Sequence, residues 1–297
     1  YESWRRTHWV AFAIVGVVSI HSLAIGSDVT TGWARWFWIG CIAAYAVLFI
    51  WAKLIRPPLV RARRWVVEGV QQLTHDTWHL TLSPRDGRPL CQVPGQFCFL
   101  TLHRESGPAQ QHPFTISTSP TSDGRIGFTI KESGDFTNTI GETRPGDMAT
   151  IEGPFGLFSH LARCRDGRPL VMIAGGVGIT PMLSMLRFMA ANSDPRRIVL
   201  IWGNKTEADI IARNEFERLA ERLPGLVVHH VLSEQDDFDG ERGLINAELL
   251  GRLLGEEDLA GDIFICGPIP MMTRITSSLR ALGVASSRIH TERFSFA

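Results

Sequence analysis

Glycines at positions 175, 176 and 178 interrupt an apolar run, Leu170-Val-Met-Ile-Ala-Gly-Gly-Val-Gly-Ile-Thr-Pro181, which restarts as Met182-Leu-Ser-Met-Leu-Arg187. A buried parallel strand turning tightly into a helix has this pattern. Glycines lack a Cβ, so a phosphate can approach the backbone while the free N–H groups of the helix N-terminus face the anion. The chemistry implied is capture of a dinucleotide pyrophosphate by Gly175, Gly176, Val177 and Gly178. An ordinary strand-to-helix turn competes with this reading, because Pro181 stands where the usual fingerprint has its third glycine.

His8 and His21 pose a second chemical question, since both lie in an apolar run. Thirteen steps of ~1.5 Å separate them by ~20 Å along a helix, one in each leaflet of a bilayer. An imidazole in a membrane needs a partner, and a bis-histidine haem iron is one. On an ideal helix the two side chains lie roughly 140° apart, so a single ligand face is not implied. Interfacial or hydrogen-bonded histidine is the alternative.

The elements that must position these groups fall into three regions. Residues 9–26 and 36–52 are uncharged apolar runs, each slightly short of the length that crosses ~30 Å of hydrocarbon. Six of the nine tryptophans (Trp4, Trp9, Trp33, Trp36, Trp38, Trp51) sit in or beside them, as interfacial rings do. Arg5 and Arg6 precede the first run, Lys53, Arg56, Arg61, Arg63 and Arg64 follow the second, and the connecting loop carries only Asp28. Basic outer flanks place both ends, and everything after them, on the cytoplasmic side. A transmembrane hairpin is therefore expected over residues 1–55, with a basic linker over 56–64. Signal-peptide and buried-core readings are disfavoured by the second run and the missing cleavage site.

Residues 65–162 read as short β-rich segments divided by Gly, Pro, Asp or Ser, a small antiparallel barrel. Within it, residues 137–143 form the best short helix, whose free N–H groups could meet a phosphate or simply cap the barrel. Residues 168–297 alternate four apolar strands with four helices, the pattern of a parallel sheet covered on both faces. Thirty basic residues balance thirty acidic ones, so no overall field favours nucleic acid. Cys41, Cys91, Cys98, Cys164 and Cys266 are scattered without zinc or iron–sulfur spacing.

The order of barrel then nucleotide-binding sheet, together with His112-Pro-Phe-Thr-Ile-Ser117, Gly134-Asp-Phe-Thr137, Gly153-Pro-Phe-Gly156, Gly175-Gly-Val-Gly-Ile-Thr-Pro181 and Cys266-Gly-Pro268, resembles the ferredoxin–NADP reductase superfamily. A histidine-bearing membrane segment directly before them resembles the NADPH oxidase and ferric reductase family. The resemblance implies membrane helices followed by an antiparallel β-barrel FAD domain and an α/β parallel-sheet NAD(P)-binding domain. His112, Pro113, Phe114, Thr115, Ile116 and Ser117 would form the flavin-binding strand, with Phe114 against the ring and the hydroxyl of Thr115 or Ser117 near N5. Lys131, Gly134, Phe136 and Thr137 would hold the flavin pyrophosphate. The turn at residues 153–156 would join the two domains. Residues 175–181, including Thr180 and Pro181, would take the NAD(P)H pyrophosphate. Cys266, Gly267 and Pro268 would lie by the nicotinamide. Phe296 or Phe294 would cover the flavin, although Ala297 follows the last phenylalanine.

At the end of the second sheet strand no acid stands at the expected ribose position. Lys205 is there and Arg213 follows, which favours the 2′-phosphate of NADPH over NADH, against Glu207 and Asp209 nearby. The implied activity passes electrons from NAD(P)H through FAD and haem b, ligated by His8 and His21, to dioxygen or a ferric chelate across the membrane. Each haem needs a second histidine, so further transmembrane helices from a missing N-terminal part or a partner subunit are expected. The alternative is a membrane-anchored NAD(P)H:flavin reductase serving a separate partner protein.

Overall fold

The computed structural model describes residues 2–25, 32–105, 109–121, 123–164 and 167–293. Two compact units result, residues 1–62 and 63–297. The loop bearing Asp28, and Phe294, Phe296 and Ala297, lie outside the described residues.

The first unit holds α1 (Glu2–Ile25) and α2 (Gly32–Ile50). Phe12 of α1 meets Phe49 of α2 edge-on at 5.2 Å between centroids. Beyond α2 the helix does not stop. Pro57 and Pro58 offer no N–H to the carbonyls one turn back, and the backbone widens into a π turn, Trp51–Ile55, closed by the Arg56 N–H on the Trp51 carbonyl. It then continues as α3 (Arg56–Ala62). The expected linker is thus mostly helix. Among the described residues, only Gly32–Val60, 29 residues, is long and apolar enough to cross a membrane; the apolar part of α1, Val10–Ile25, is shorter.

The second unit opens with six antiparallel strands: β1 (Arg64–Thr74), β2 (Thr77–Pro84), β3 (Phe97–His103), β4 (Gln111–Thr115), β5 (Ile126–Lys131) and β6 (Met148–Phe155). Their order is β4-β3-β6-β1-β2-β5. A bridge from Ile116 to Phe128 brings the end of β4 against β5 and closes the barrel. Trp65, Leu80, Leu82, Leu100, Ile126 and Phe128 fill it. The short helix expected after Phe136 is a 3-10 turn, Thr137–Glu142. After α4 (His160–Arg163) comes a six-stranded parallel sheet made of β7 (Leu170–Gly175), β8 (Ile198–Asn204), β9 (Leu226–Leu232), β10 (Glu241–Arg242), β11 (Asp262–Cys266) and β12 (Ile289–Glu292).

Period-two alternation sends Leu170, Met172 and Ala174 to one face, beneath α5 (Thr180–Ala191) and α6 (Arg213–Arg222). Val171 and Ile173 go to the other, under α7 (Ala247–Leu253) and α9 (Ile269–Ala281), with the single turn α8 (Glu256–Leu259) between these helices in the chain. This explains the uninterrupted apolar strands.

Candidate functional site

Strand order in the sheet is β10-β9-β8-β7-β11-β12. From β7 the chain first builds outward through β8 and β9, then returns to the opposite side of β7 for β11 and β12. The switch therefore falls between β7 and β11, and the crevice beyond the carboxyl ends of those strands is where such sheets bind ligands. The loops there are Gly175 to Gly178 and Cys266 to Pro268.

Their glycines are dictated by contact. A Cβ on Gly178 would lie 2.4 Å from the Cys266 carbonyl oxygen, and one on Gly175 would lie 2.6 Å from the Met271 sulfur. Gly176 differs: it has φ +52° and no neighbour within 4 Å of a Cβ, which leaves its backbone open to the crevice. The Trp202 indole N–H, from buried β8, donates to the Gly176 carbonyl at 3.0 Å and holds the loop in place. Pro181, in the first turn of α5, is buried and off the cavity wall.

The crevice is a cavity of about 1130 Å³, above the ~300–1,000 Å³ usual for a small-molecule pocket. One wall is the barrel: His112, Pro113, Phe114 and Thr115 on edge strand β4, Lys131 on β5, then Gly134, Phe136 and Thr137. The His112 ring stacks on Phe136 at 4.1 Å and 22°. Phe114 lies nearly parallel to Phe136 at 6.2 Å, and the Arg104 guanidinium sits 5.3 Å over the Phe136 ring. Burial lowers the His112 pKa, which favours the neutral ring that stacks. A flat aromatic surface of this kind fits a flavin.

Two residues expected on this strand are elsewhere. Ile116 is in the barrel core, and Ser117 is fully buried, donating to the Gly127 carbonyl at 3.1 Å and accepting from Thr129 at 3.1 Å. Of the two hydroxyls proposed for the flavin, only that of Thr115 is on the cavity wall. Lys131 is engaged by Asp76 at 2.8 Å. Thr137 accepts from the Ser133 N–H at 2.9 Å and so organises the turn it begins.

The opposite wall holds Gly175, Gly176, Val177, Gly178, Thr180, Cys266, Gly267 and Pro268, all expected, together with Asn204 and Arg274, which were not. Both polar atoms of the buried Asn204 amide lack a partner among the described residues, a donor and an acceptor ready for a ligand. Of the two cations expected to favour NADPH, Lys205 lies on the cavity wall. Lys205 pairs with Glu234 at 3.1 Å, and Arg213, off the cavity wall, pairs with Glu207.

Beside Cys266, β12 brings Glu292 into register. Burial, reinforced by the Glu292 charge, pushes the Cys266 thiol up to about 12, so it remains an uncharged S–H at neutral pH. Burial likewise pushes Glu292 up to about 7, and its Oε2 has no partner among the described residues. A carboxyl whose folded value exceeds its unfolded one favours the fold fully below about 4.5, and that contribution disappears as pH rises through about 7. Glu292→Gln removes this penalty. Its stability should match the wild type near pH 4 and exceed it at pH 8 by on the order of 3 kcal/mol, with a correspondingly higher melting temperature; scanning calorimetry across that range checks it, and a constant offset would show that the carboxyl does not titrate there.

His21 is exposed on α1, and the side chain of His8 lies outside the described set. Among the described residues nothing joins them into a ligand pair.

Fold and crevice together define a two-domain flavin and dinucleotide oxidoreductase. Residues 64–145 match the FAD-binding domain family and residues 172–277 the oxidoreductase NAD-binding domain family. The chain is 34% identical over 181 residues to NADH-cytochrome b5 reductase 2 of Mycosarcoma maydis, covering 59% of this chain and 51% of that protein. It is 32% identical over 207 residues to the stachydrine N-demethylase reductase subunit Stc4 of Rhizobium meliloti, covering 68% and 58%. The chain thus spans little more than half the length of these curated relatives. The solved CS-b5R domains of human Ncb5or, in the NAD+ form, superpose with a TM-score of 0.66 at 30% identity, over 78% of this chain and 69% of that one. The chain carries the FAD-binding and oxidoreductase NAD-binding domains of the ferredoxin–NADP reductase-like fold.

Proposed function

We propose that this protein is an NAD(P)H:flavin reductase that hands electrons to a separate acceptor protein. One observation carries the reading: Phe114 and Thr115 of the barrel share a single cavity with Gly176 and Cys266 of the sheet. Residues that would hold a flavin and residues that would hold a dinucleotide therefore face the same space. Bound FAD would supply the conversion of a two-electron hydride into single electrons. The protein's own part is placement. The glycine loop admits the pyrophosphate to the backbone, and Arg274, one turn into α9, adds a positive charge on the same wall. The neutral Cys266 thiol, on the cavity wall, would pack beside the bound nicotinamide without competing as a nucleophile. No general base is needed, because stacking and donor–acceptor distance govern hydride transfer.

A separate acceptor is supported by the Rhizobium relative, itself named as a reductase subunit. The 29-residue apolar helix Gly32–Val60 supports anchorage of this reductase to a membrane, with its second unit cytoplasmic by the basic flanks. Transfer through haem b to dioxygen or a ferric chelate is a longer route. The hairpin has no histidine besides His8 and His21, so additional helices or a partner subunit would have to complete the iron ligands.

The test is an anaerobic titration of FAD-loaded, membrane-reconstituted protein. NADH or NADPH should bleach the flavin bands, with no reducible b-type Soret band in the spectrum. Unbleached flavin would end the reductase reading, and a Soret band would restore His8 and His21 as ligands.

A further inference from the structure

The rim of the cavity at the ends of β8 and β9 is where adenosine ribose is read in sheets of this kind, and its charge is opposite to what Lys205 alone suggests. After β8 and β9 the two chains remain zipped. The Ser233 N–H donates to the Asn204 carbonyl at 3.0 Å, and the Glu234 N–H to the Lys205 carbonyl at 2.8 Å. This register sets the Glu234 carboxylate beside the Lys205 ammonium at 3.1 Å. Gln235 then accepts from the Glu207 N–H at 2.8 Å, tying the acidic turn after β9 to the turn after β8. Segments 204–213 and 233–239 carry two cations, Lys205 and Arg213, against six carboxylates, Glu207, Asp209, Glu234, Asp236, Asp237 and Asp239; Lys205 and Asp209 lie on the cavity wall and the others stand behind it. Arg242 donates to the Phe238 carbonyl in the same turn, and Arg274 follows β11, two strands from β8.

The rim also carries the buried Asn204 amide, which lines the cavity and whose two polar atoms have no partner among the described residues. An amide with one free donor and one free acceptor matches a vicinal diol, where each hydroxyl can both give and take a hydrogen bond. It does not match a dianion, which only accepts.

We propose that this site selects NADH over NADPH: Asn204 binds the unphosphorylated adenosine ribose, and Glu234, by neutralising Lys205 within an acidic rim, excludes a 2′-phosphate. The proposal rests on the reductase reading above and names its donor. Because the Lys205–Glu234 pair is exposed, it adds little to stability, but a phosphate brought into contact with it meets the Glu234 carboxylate well inside the ~8 Å Debye length.

Two measurements test this on the FAD-loaded protein. Anaerobic stopped-flow reduction gives kcat/KM for NADH and NADPH, and calorimetry gives the affinities of ADP-ribose and its 2′-phosphorylated form without any turnover. NADH should be preferred by about thirtyfold or more, and Glu234→Arg should narrow that preference by about tenfold while tightening the phosphorylated probe by a similar factor. Asn204→Ala should weaken ADP-ribose. Equal kcat/KM for the two donors, a preference for NADPH, or an unchanged ratio in Glu234→Arg would overturn the selectivity and leave the reductase standing. Bleaching by neither donor would overturn both.

Discussion

Gly178→Val should raise the KM for the nicotinamide dinucleotide by about a hundredfold or more, while FAD remains bound. The new Cβ would enter a space already held by backbone: 2.4 Å from the Cys266 carbonyl oxygen, 2.7 Å from its carbonyl carbon and 2.9 Å from the Gly267 nitrogen. No rotamer change can relieve such contacts, so the two loops at the switch point must separate. Forced overpacking of this kind costs ~1–3 kcal/mol in stability, and a hundredfold loss in binding corresponds to ~2.7 kcal/mol. FAD is spared because His112, Phe114 and Phe136 belong to the barrel, which has its own core. Gly176→Ala is the internal control. A Cβ there meets no atom within 4 Å, so only the φ of +52° is unfavourable, at ~1–2 kcal/mol. Steady-state kinetics and flavin absorbance after gel filtration separate the outcomes. Loss of FAD from Gly178→Val, or a KM within threefold of wild type, would refute the assignment of this loop.

That glycine was legible as a motif, but the reason it must be glycine was not, since the Cys266 carbonyl lies 88 positions away in the chain. The same division runs through the molecule. β7 and β8 were readable because strands covered on both faces are continuously apolar. β12 was not, since Ile289-His-Thr-Glu292 is four residues long and three of them are polar, and with it Glu292 was missed. Thr115 and Ser117 share parity and look equivalent on an extended strand. β4 ends at Thr115, however, and the Ile116 bridge to Phe128 carries the chain across the barrel, so Ser117 turns inward. In the sequence Lys205 is opposed only by Glu207 and Asp209, because its partner, Glu234, arrives only when β8 and β9 align. Asn204 gave no signal at all: an asparagine at a strand end is ordinary, and its meaning appears only once burial leaves its amide without partners.

Arg187→Ala should slow flavin reduction by about ten- to a hundredfold with both nucleotides still bound, the range expected when two reactants are misplaced by about an ångström. In the sequence Arg187 is one cation on a helix. In the fold it is the fastening between the barrel and the sheet: its Nη1 donates to the Ser117 carbonyl at 2.7 Å, where the flavin strand ends, and its Nε and Nη2 grip Glu215 of α6 at 2.6 and 2.7 Å. Ser184, one turn earlier on α5, adds a bond to the Thr118 carbonyl at 2.8 Å. Since α5 begins at the pyrophosphate loop, these contacts set the distance between the two walls of the cavity. Truncation leaves a partly buried carboxylate and a carbonyl without their donor, a loss of ~2–4 kcal/mol. Two further readouts distinguish a fastening from general destabilisation. Arg187→Lys keeps the charge but not the planar fork, so it should recover stability before it recovers rate. His79, held down to about 4 by burial and then by the Arg187 charge against an opposing pull from Glu215, should titrate higher in Arg187→Ala and stay low in Arg187→Lys. An unchanged reduction rate at saturating donor would mean that the walls hold their spacing without this residue.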